Sequence, residues 1–472
     1  MAEDPVLKFD PERAIPHPLD VKPWGNIWLS GNVKEDIKLR RDSLGCFGLV
    51  TEELFLEILS FCDSADLLTL SAVSLYCRAF SFHQDLWKDL FFAAGSDLNF
   101  KNSWRETFFS ATIGAALKVR NVYSDLLFGP YRASGLTPTA VWLEREINIE
   151  RVSYREMSVE QFVEKYEKRN KPVIITDFVF SEWKEAVENW TSISSFSARN
   201  NPQDPTMDCG PVSMRLSEFE QYAKSDLCKL DESPFFVFDT KNFSSSCSWL
   251  KDLPTPIPYF AKDLFDLLQG ESRPDHKWIL IGSAGASSKW HVDPNATNAW
   301  NAVIFGEKKW ILVPPHSGPP PGVEVSSDSF AVRQPLTLTE WLDSGFYNDL
   351  LRTNSQMVEA TCRSGEIMFV PRGWWHCVRN TAPMTLAVTQ NYAAESSVDH
   401  VRRFLREKSH CVSGVPPHRR PSLWKEFEKA LEIERPDLVS HAEEKPQPLE
   451  EEEESCFSFW DRLGSKQLSF QR

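Results

Sequence analysis

The apolar residues of this chain change period twice along its length. Up to residue 43 no period lasts and Pro and polar residues dominate, so residues 1–43 read as a flexible arm. From Leu44 the spacing turns helical. Leu49-Val-Thr-Glu-Glu-Leu54-Phe-Leu-Glu-Ile58-Leu59 predicts a helix with Thr51 as its N-cap, and Asp63 caps a second that carries Leu67, Leu70 and Val73. A third surrounds Leu86-Trp87 and Leu90-Phe91, closing a helical unit over 44–95, and a helical linker follows over 96–153. From Tyr154 the pattern changes again. An amphipathic helix over 158–166, with Ser158 and Gln161 in a capping box, leads into a buried β-branched run over 171–176. Further short runs at 235–238, 277–281, 299–305, 309–313, 366–370 and 384–390 are separated by Gly/Pro turns, with no long helices between them. This spacing predicts a mainly β domain over 154–395, a double-stranded β-helix (jelly roll) rather than a parallel α/β sheet. The Pro-rich loop 314–322 and a helix near Leu338 read as an insertion. Helical spacing returns over 396–445, and residues 446–472 read as an acidic tail whose Phe457, Phe459 and Trp460 either meet a partner or pack back on the domain.

Composition narrows the functional classes. The chain has 472 residues, 42% hydrophobic and 25% charged, which describes a soluble protein of more than one folded unit. A net charge of −15 argues against sequence-independent binding to nucleic acid and suits a basic peptide partner. The ten cysteines form no C-x-x-C pair, so neither a zinc ribbon nor a disulfide framework is expected. No signal core and no apolar run near the roughly 20 residues of a membrane span is found, and a nuclear or cytoplasmic location is expected. On that expectation the glycosylation patterns at Asn189 and Asn242 are chance matches, and the Lys38-Leu-Arg-Arg41 cluster reads as a solvated helix face, with a weak nuclear signal as the alternative.

The candidate chemistry lies in His291-Val-Asp293. In an extended segment residues i and i+2 share a face, so an imidazole and a carboxylate can meet one cation there. Alone, such a pair is commonly a solvated turn. A third ligand is offered by His376, after the strand-like run and Pro/Gly turn of Gly365-Glu-Ile-Met-Phe-Val-Pro-Arg-Gly-Trp-Trp-His376. Two imidazoles and one carboxylate with open positions are the ligand set of non-haem Fe(II) oxygenases.

Asn301 and Lys308 follow His291, and Thr389-Gln-Asn391-Tyr392 follows His376. With H-x-D-P, A-W-N-A, G-x-K-x-W, W-W-H and T-Q-N in this order, residues 154–395 resemble the jumonji-C family of Fe(II)- and 2-oxoglutarate-dependent oxygenases. Within it the chain is similar to the branch of arginine demethylases, lysyl hydroxylases and plant F-box jumonji proteins. The resemblance implies Fe(II) on His291, Asp293 and His376, O2 as co-substrate, and Lys308 at the far carboxylate of 2-oxoglutarate. It also implies that Ser288, Asn301, Thr389 and Asn391 line the cofactor; otherwise the asparagines are buried residues serving strand ends. One position departs from the family. Where relatives carry a tyrosine that meets the cofactor carboxylate, this chain has Phe236, and a hydrogen bond to a charged group is worth roughly 1.5–3 kcal/mol. Trp290, Trp300, Trp310, Trp374 and Trp375 read as core, with an aromatic cage for a methylated cation as the alternative.

The implied activity is oxidation of a protein side chain, with histone methylarginine as leading substrate and lysyl hydroxylation as the alternative. Residues 44–95 resemble an F-box, in L-x-x-E-L, D-L-L-x-L-x-x-V-S and L-W-x-x-L, with Val50 where the family carries Pro. That resemblance implies docking to a Skp1-type adaptor, and leaves open a non-catalytic substrate adaptor of a cullin ubiquitin ligase.

Overall fold

β-Branched and aromatic runs between glycine and proline turns form the two larger sheets of the computed structural model, which describes residues 5–95, 100–111, 118–200, 204–210, 212–240, 251–326 and 332–439. Their strands are numbered here in chain order: β1 (Arg151–Ser153), β2 (Val173–Thr176), β3 (Val237–Asp239), β4 (Lys277–Ser283), β5 (Ser287–His291) and β6 (Asn298–Phe305). The set continues with β7 (Glu307–Val313), β8 (Val358–Arg363), β9 (Ile367–Val370), β10 (Trp375–Asn380) and β11 (Met384–Tyr392). The larger sheet runs β1-β2-β9-β6-β11-β4-β3 and the smaller β8-β7-β10-β5. All neighbours are antiparallel except β1 and β2. Ala299, Val303 and Met368 from the first sheet share one buried cluster with Trp310, Leu312 and Val378 from the second, so the sheets face each other across a common core. This is the expected double-stranded β-helix. Gly306 turns β6 into β7 at φ +90°, where a Cβ would run into the Met384 carbonyl and Thr385.

Four strands of this fold, β1, β5, β8 and β10, lack the continuous apolar pattern that marks the others. β5 reads Ser-Ser-Lys-Trp-His and β10 Trp-His-Cys-Val-Arg-Asn, with polar residues facing inward, so hydrophobic alternation does not reveal them. The helix after Ser158 keeps its capping box, but from Val163 to Glu167 it widens into a π-helical turn.

Leu7–Thr137 and Glu218–Glu232 make one compact unit, and Met1–Val6, Pro138–Ser217 and Ser233–Arg472 the other. The sequence expectation divides the chain at residues 43, 95, 153, 395 and 445. In the first unit the segment read as an arm contains a helix, Val33–Leu44, whose thin apolar stripe is outweighed by Lys, Arg, Asp and Glu. Its Leu7–Phe9 is also a strand, paired with Leu136–Pro138. Four helices follow rather than three: Glu52–Ser60, Ser64–Leu70, Leu75–Ser81 and Gln84–Ala94. Ser74 starts the additional one by accepting a hydrogen bond from the Cys77 amide, which ends the apolar stripe read as running on to Val73. Thr51 and Asp63 cap their helices as expected. Phe55, Tyr76, Phe80, Trp87 and Phe91 form the interior, while Leu49, Leu54, Phe61, Leu68 and Val73 stay exposed.

In the second unit, helices Val398–Glu407 and Leu423–Glu434 bury Val401, Phe404, Leu405, Phe427 and Leu431 against Leu264, Phe265 and Ala296. The pattern at Asn242, the run 450–454 and Phe457, Phe459 and Trp460 lie outside the described residues.

The outer face of β7 carries one fully buried ion pair. Lys309 Nζ lies 3.3 Å from Glu359 Oε1, with 0% of either side chain exposed, and also donates to the Arg145 carbonyl. Tyr347 Oη donates to Glu359 Oε2 at 2.7 Å. Removing one partner of such a pair leaves an uncompensated charge, so Lys309→Met should cost about 3–5 kcal/mol, read as a lowered Tm. The double variant Lys309→Met/Glu359→Leu should recover most of it; equal melting of Lys309→Met and wild type would show that the pair carries no such weight.

Candidate metal and cofactor site

His291 is the last residue of β5, and the β5–β10 ladder sets it directly opposite His376. The two rings lie 4.1 Å apart, centroid to centroid. Asp293 follows on the extended backbone that N-caps the turn Pro294–Ala296, and its Oδ2 is 3.9 Å from His376 Nε2. One ligand atom from each of His291, Asp293 and His376 lies within 4.8 Å of the others, and all three residues are buried.

Each histidine is oriented by the backbone two residues before it. His291 Nδ1 is 2.7 Å from the Lys289 carbonyl and His376 Nδ1 is 3.0 Å from the Trp374 carbonyl. A carbonyl can only accept, so each Nδ1 carries a proton, which in a neutral ring leaves on Nε2 the lone pair that a metal needs. Burial, and secondarily His376, hold the His291 imidazole well below its usual pKa, in the neutral form. Asn391 Nδ2 donates to Asp293 Oδ1 at 3.2 Å and to Thr297 Oγ1 at 3.1 Å. Its amide therefore orients a candidate metal ligand. The loop after Asp293 is held in an uncommon shape, with Asn295 at φ 58° and Ala296 at φ 54°. Asn295 secures it by exchanging two hydrogen bonds of 3.0 Å with the backbone of Ser413.

A pocket further along the same strands is lined by Phe236, Gly282, Ser288, Lys308, Val378 and Asn380. Strand alternation points Lys308 into it, whereas Lys309 faces Glu359 outside. Lys308 is 7% exposed and has no carboxylate partner among the described residues. Burial pushes its ammonium down to about 8, and the one charged-group neighbour that counters this is Cys362, whose thiol burial in turn pushes well up. A desolvated cation with no counter-ion is a fit for the far carboxylate of 2-oxoglutarate. Asn301 also points inward, on the same face of β6 as Ala299 and Val303, and its buried Oδ1 has no hydrogen-bond partner among the described residues. Thr389 pairs with Asn301 across β6 and β11, and its hydroxyl donates to the Trp300 carbonyl at 2.7 Å.

The structure thus brings His291, Asp293 and His376 together at one end and Ser288 and Lys308 at the other. Asn301, Thr389 and Asn391 belong to the adjoining strands. The tryptophans pack: Trp290 against Trp341, Trp300 against Phe260, and Trp374 with its Nε1 on the Asn170 carbonyl. Sequence reasoning missed the carbonyls of Lys289 and Trp374, which carry no side-chain signal, and the glycine and asparagine at 282 and 380. The residues present suit both an Fe(II) ion and a 2-oxo dicarboxylate.

Comparison with known proteins agrees with this geometry. Residues 159–398 match a cupin-like domain. The chain is 35% identical to the arginine-specific demethylase JMJ22 of Arabidopsis thaliana, over 95% of this chain and 88% of that one. It is 27% identical to the lysine-specific demethylase JMJ21 of the same plant, over 89% of this chain but 43% of the larger relative. A bifunctional arginine demethylase and lysyl-hydroxylase of Caenorhabditis elegans, psr-1, is 30% identical over 62% of this chain and 70% of its own. A mouse protein named 2-oxoglutarate and iron-dependent oxygenase matches over a shorter stretch, 34% of the chain.

Lys308 gives the site a pH dependence of defined sign. Only the ammonium attracts a carboxylate, and its pKa in the free protein is about 8. Affinity for 2-oxoglutarate should therefore be level below that pH and fall above it, with the dissociation constant rising up to about tenfold per pH unit until the pKa of the complex is passed. Calorimetric titration across pH 6.5–9.5 checks this at about one-unit steps; Lys308→Ala should bind weakly and lose the break near pH 8, and a wild-type profile with no break would remove Lys308 from the role.

Proposed function

Because this chain belongs to the cupin-like JmjC family of iron(II)- and 2-oxoglutarate-dependent oxygenases, we propose that it demethylates arginine side chains in a basic protein segment such as a histone tail. The observation that carries the reading is the convergence of His291, Asp293 and His376 within 4.8 Å, with both imidazoles held in the ligating tautomer. The named activity of JMJ22, similar over nearly the whole chain, supports arginine as the substrate residue. The net charge of −15 supports a basic peptide. A histone substrate would require residence in the nucleus.

When bound, iron and 2-oxoglutarate supply a two-electron oxidation of a C–H bond by O2, with 2-oxoglutarate leaving as succinate and CO2. The protein's own residues do the rest. His291, Asp293 and His376 would hold the metal, Asn391 keeps the Asp293 carboxylate aimed, and Lys308 would meet the cofactor's far carboxylate. If the oxidised carbon is an N-methyl group, the hydroxymethyl product loses formaldehyde and the N–H is restored. If it is a ring-free side-chain carbon, the alcohol persists, as the bifunctional name of psr-1 allows.

Anaerobically loaded Fe(II) protein given O2, 2-oxoglutarate and methylarginine peptides should form succinate and formaldehyde, with a peptide mass loss of about 14. A gain of about 16 without formaldehyde would replace demethylation with hydroxylation. Asp293→Ala should abolish succinate formation by losing iron while keeping its fold; activity equal to wild type would end the assignment.

One observation favours a second role for the helical unit. Leu49 and Phe61 are 90% and 81% exposed, and Leu54, Leu68 and Val73 are also open, a set of apolar residues that a monomer leaves uncovered at a cost. We propose that they dock a Skp1-type adaptor, which fits the F-box resemblance. Purified Skp1-type protein should bind the full chain, and Leu54→Asp should weaken this at least tenfold, since it buries a charge in an apolar contact. No binding by wild type would reject the F-box role without touching the oxygenase.

A further inference from the structure

The pocket around Lys308 contains a second polar group that the ligand set described above leaves unused. Asn380 stands directly opposite Lys308 in the β7–β10 ladder, and residues paired in this way project their side chains to one face, about 4.5–5.5 Å apart at Cβ. The Asn380 side chain is 7% exposed, lines the same pocket, and its amide makes no hydrogen bond to any described residue. The amide faces the pocket rather than the packed interior, so a ligand entering there can meet it.

Two neighbours shape the space it faces. Gly282 on β4 keeps it open, since a Cβ there would sit 2.7 Å from Asn380 Nδ2 and 3.1 Å from Phe236 Cβ. Phe236 closes the far wall with a ring that has no hydrogen-bonding atom. A carboxylate entering beside Lys308 has two oxygens and roughly four acceptor sites, more than one ammonium satisfies. The remaining donors that line the pocket are the hydroxyls of Ser287 and Ser288 and the amide of Asn380. Of these, only Asn380 shares a cross-strand pair with Lys308.

We propose that Asn380 donates its Nδ2–H to the far carboxylate of 2-oxoglutarate, beside Lys308, and so takes the place of the hydroxyl that Phe236 lacks. The proposal rests on the oxygenase reading above. It makes Asn380 a specificity residue: its contact exists only for a 2-oxo acid that carries a second carboxylate. It also explains how a pocket walled by Phe236 holds a dicarboxylate.

The test is calorimetric titration of the full-length protein loaded with Mn(II), which needs no turnover. The probes are 2-oxoglutarate and 2-oxobutyrate, which share the 2-oxo acid end and differ in the far carboxylate. Asn380→Ala should weaken 2-oxoglutarate by about ten- to a hundredfold and leave 2-oxobutyrate and Mn(II) unchanged. Asn380→Asp, which sets a carboxylate against a carboxylate, should weaken it further. Adding Phe236→Tyr to Asn380→Ala should restore part of the loss, and by a larger factor than Phe236→Tyr improves wild type. Unchanged 2-oxoglutarate affinity in Asn380→Ala overturns the proposal, as does an equal loss of both acids with Mn(II) still bound. If Asn380→Ala also loses Mn(II), the decision passes to Asn380→Asp, where retained Mn(II) and retained 2-oxoglutarate affinity would overturn it. Wild type that binds Mn(II) but neither acid overturns the oxygenase reading itself, and the proposal with it.

Discussion

Strand register between β5 and β10 is what puts two imidazoles 4.1 Å apart inside a barrel. Side chains on a strand alternate with period two, so a slip of one residue would turn His376 outward and bring Trp375 or Cys377 into its place. The neighbouring ladder removes that freedom. β10 is also paired to β7 over six residues, with Leu312 opposite His376 and Lys308 opposite Asn380. Both ends of the site are thus read off one strand. His376 and Asn380 are four residues apart on it, which is about 13 Å of extended chain, so the histidine and the pocket residue lie along one strand.

The same alternation gives two adjacent lysines opposite fates. Lys309 faces Glu359 and is neutralised, whereas Lys308 is left inside without a counter-ion. Taking an ammonium out of water without a partner is expensive, and the depressed pKa of Lys308 registers that cost. A free protein with this feature is not at its most stable. On the proposed function the offset would come from 2-oxoglutarate, whose far carboxylate would complete the pair that the fold leaves half made.

Much of this was legible in the sequence because it rests on side-chain identity and spacing. His291, Asp293 and His376 could be named, Lys308 entered through the family resemblance, and the strands β4, β6, β7, β9 and β11 announced themselves by β-branched and aromatic runs. What was not legible has a common cause. β5 and β10 turn polar residues inward, so the strands that carry the ligands are those whose hydrophobic signal is weakest. The carbonyls that orient the histidines belong to the backbone and are indifferent to residue type. The helix Val33–Leu44 was hidden by its charge, and the role of Asn391 depends on a contact with Asp293, 98 positions away in the chain.

The paired hydrogen bonds between Asn295 and Ser413 carry a consequence for how this protein comes apart. Asn295 and Ala296 occupy left-handed backbone, which for an alanine costs roughly 1–2 kcal/mol, and Ala296 packs in the same cluster as Phe404, Leu405 and Phe427. The loop beside Asp293 and the two helices beyond the barrel are consequently tied together by hydrogen bonds and shared apolar packing. Their amides should show a common protection against solvent exchange, and any process that peels the helices away, from proteolysis to a competing partner, would relax the loop before the barrel itself unfolds.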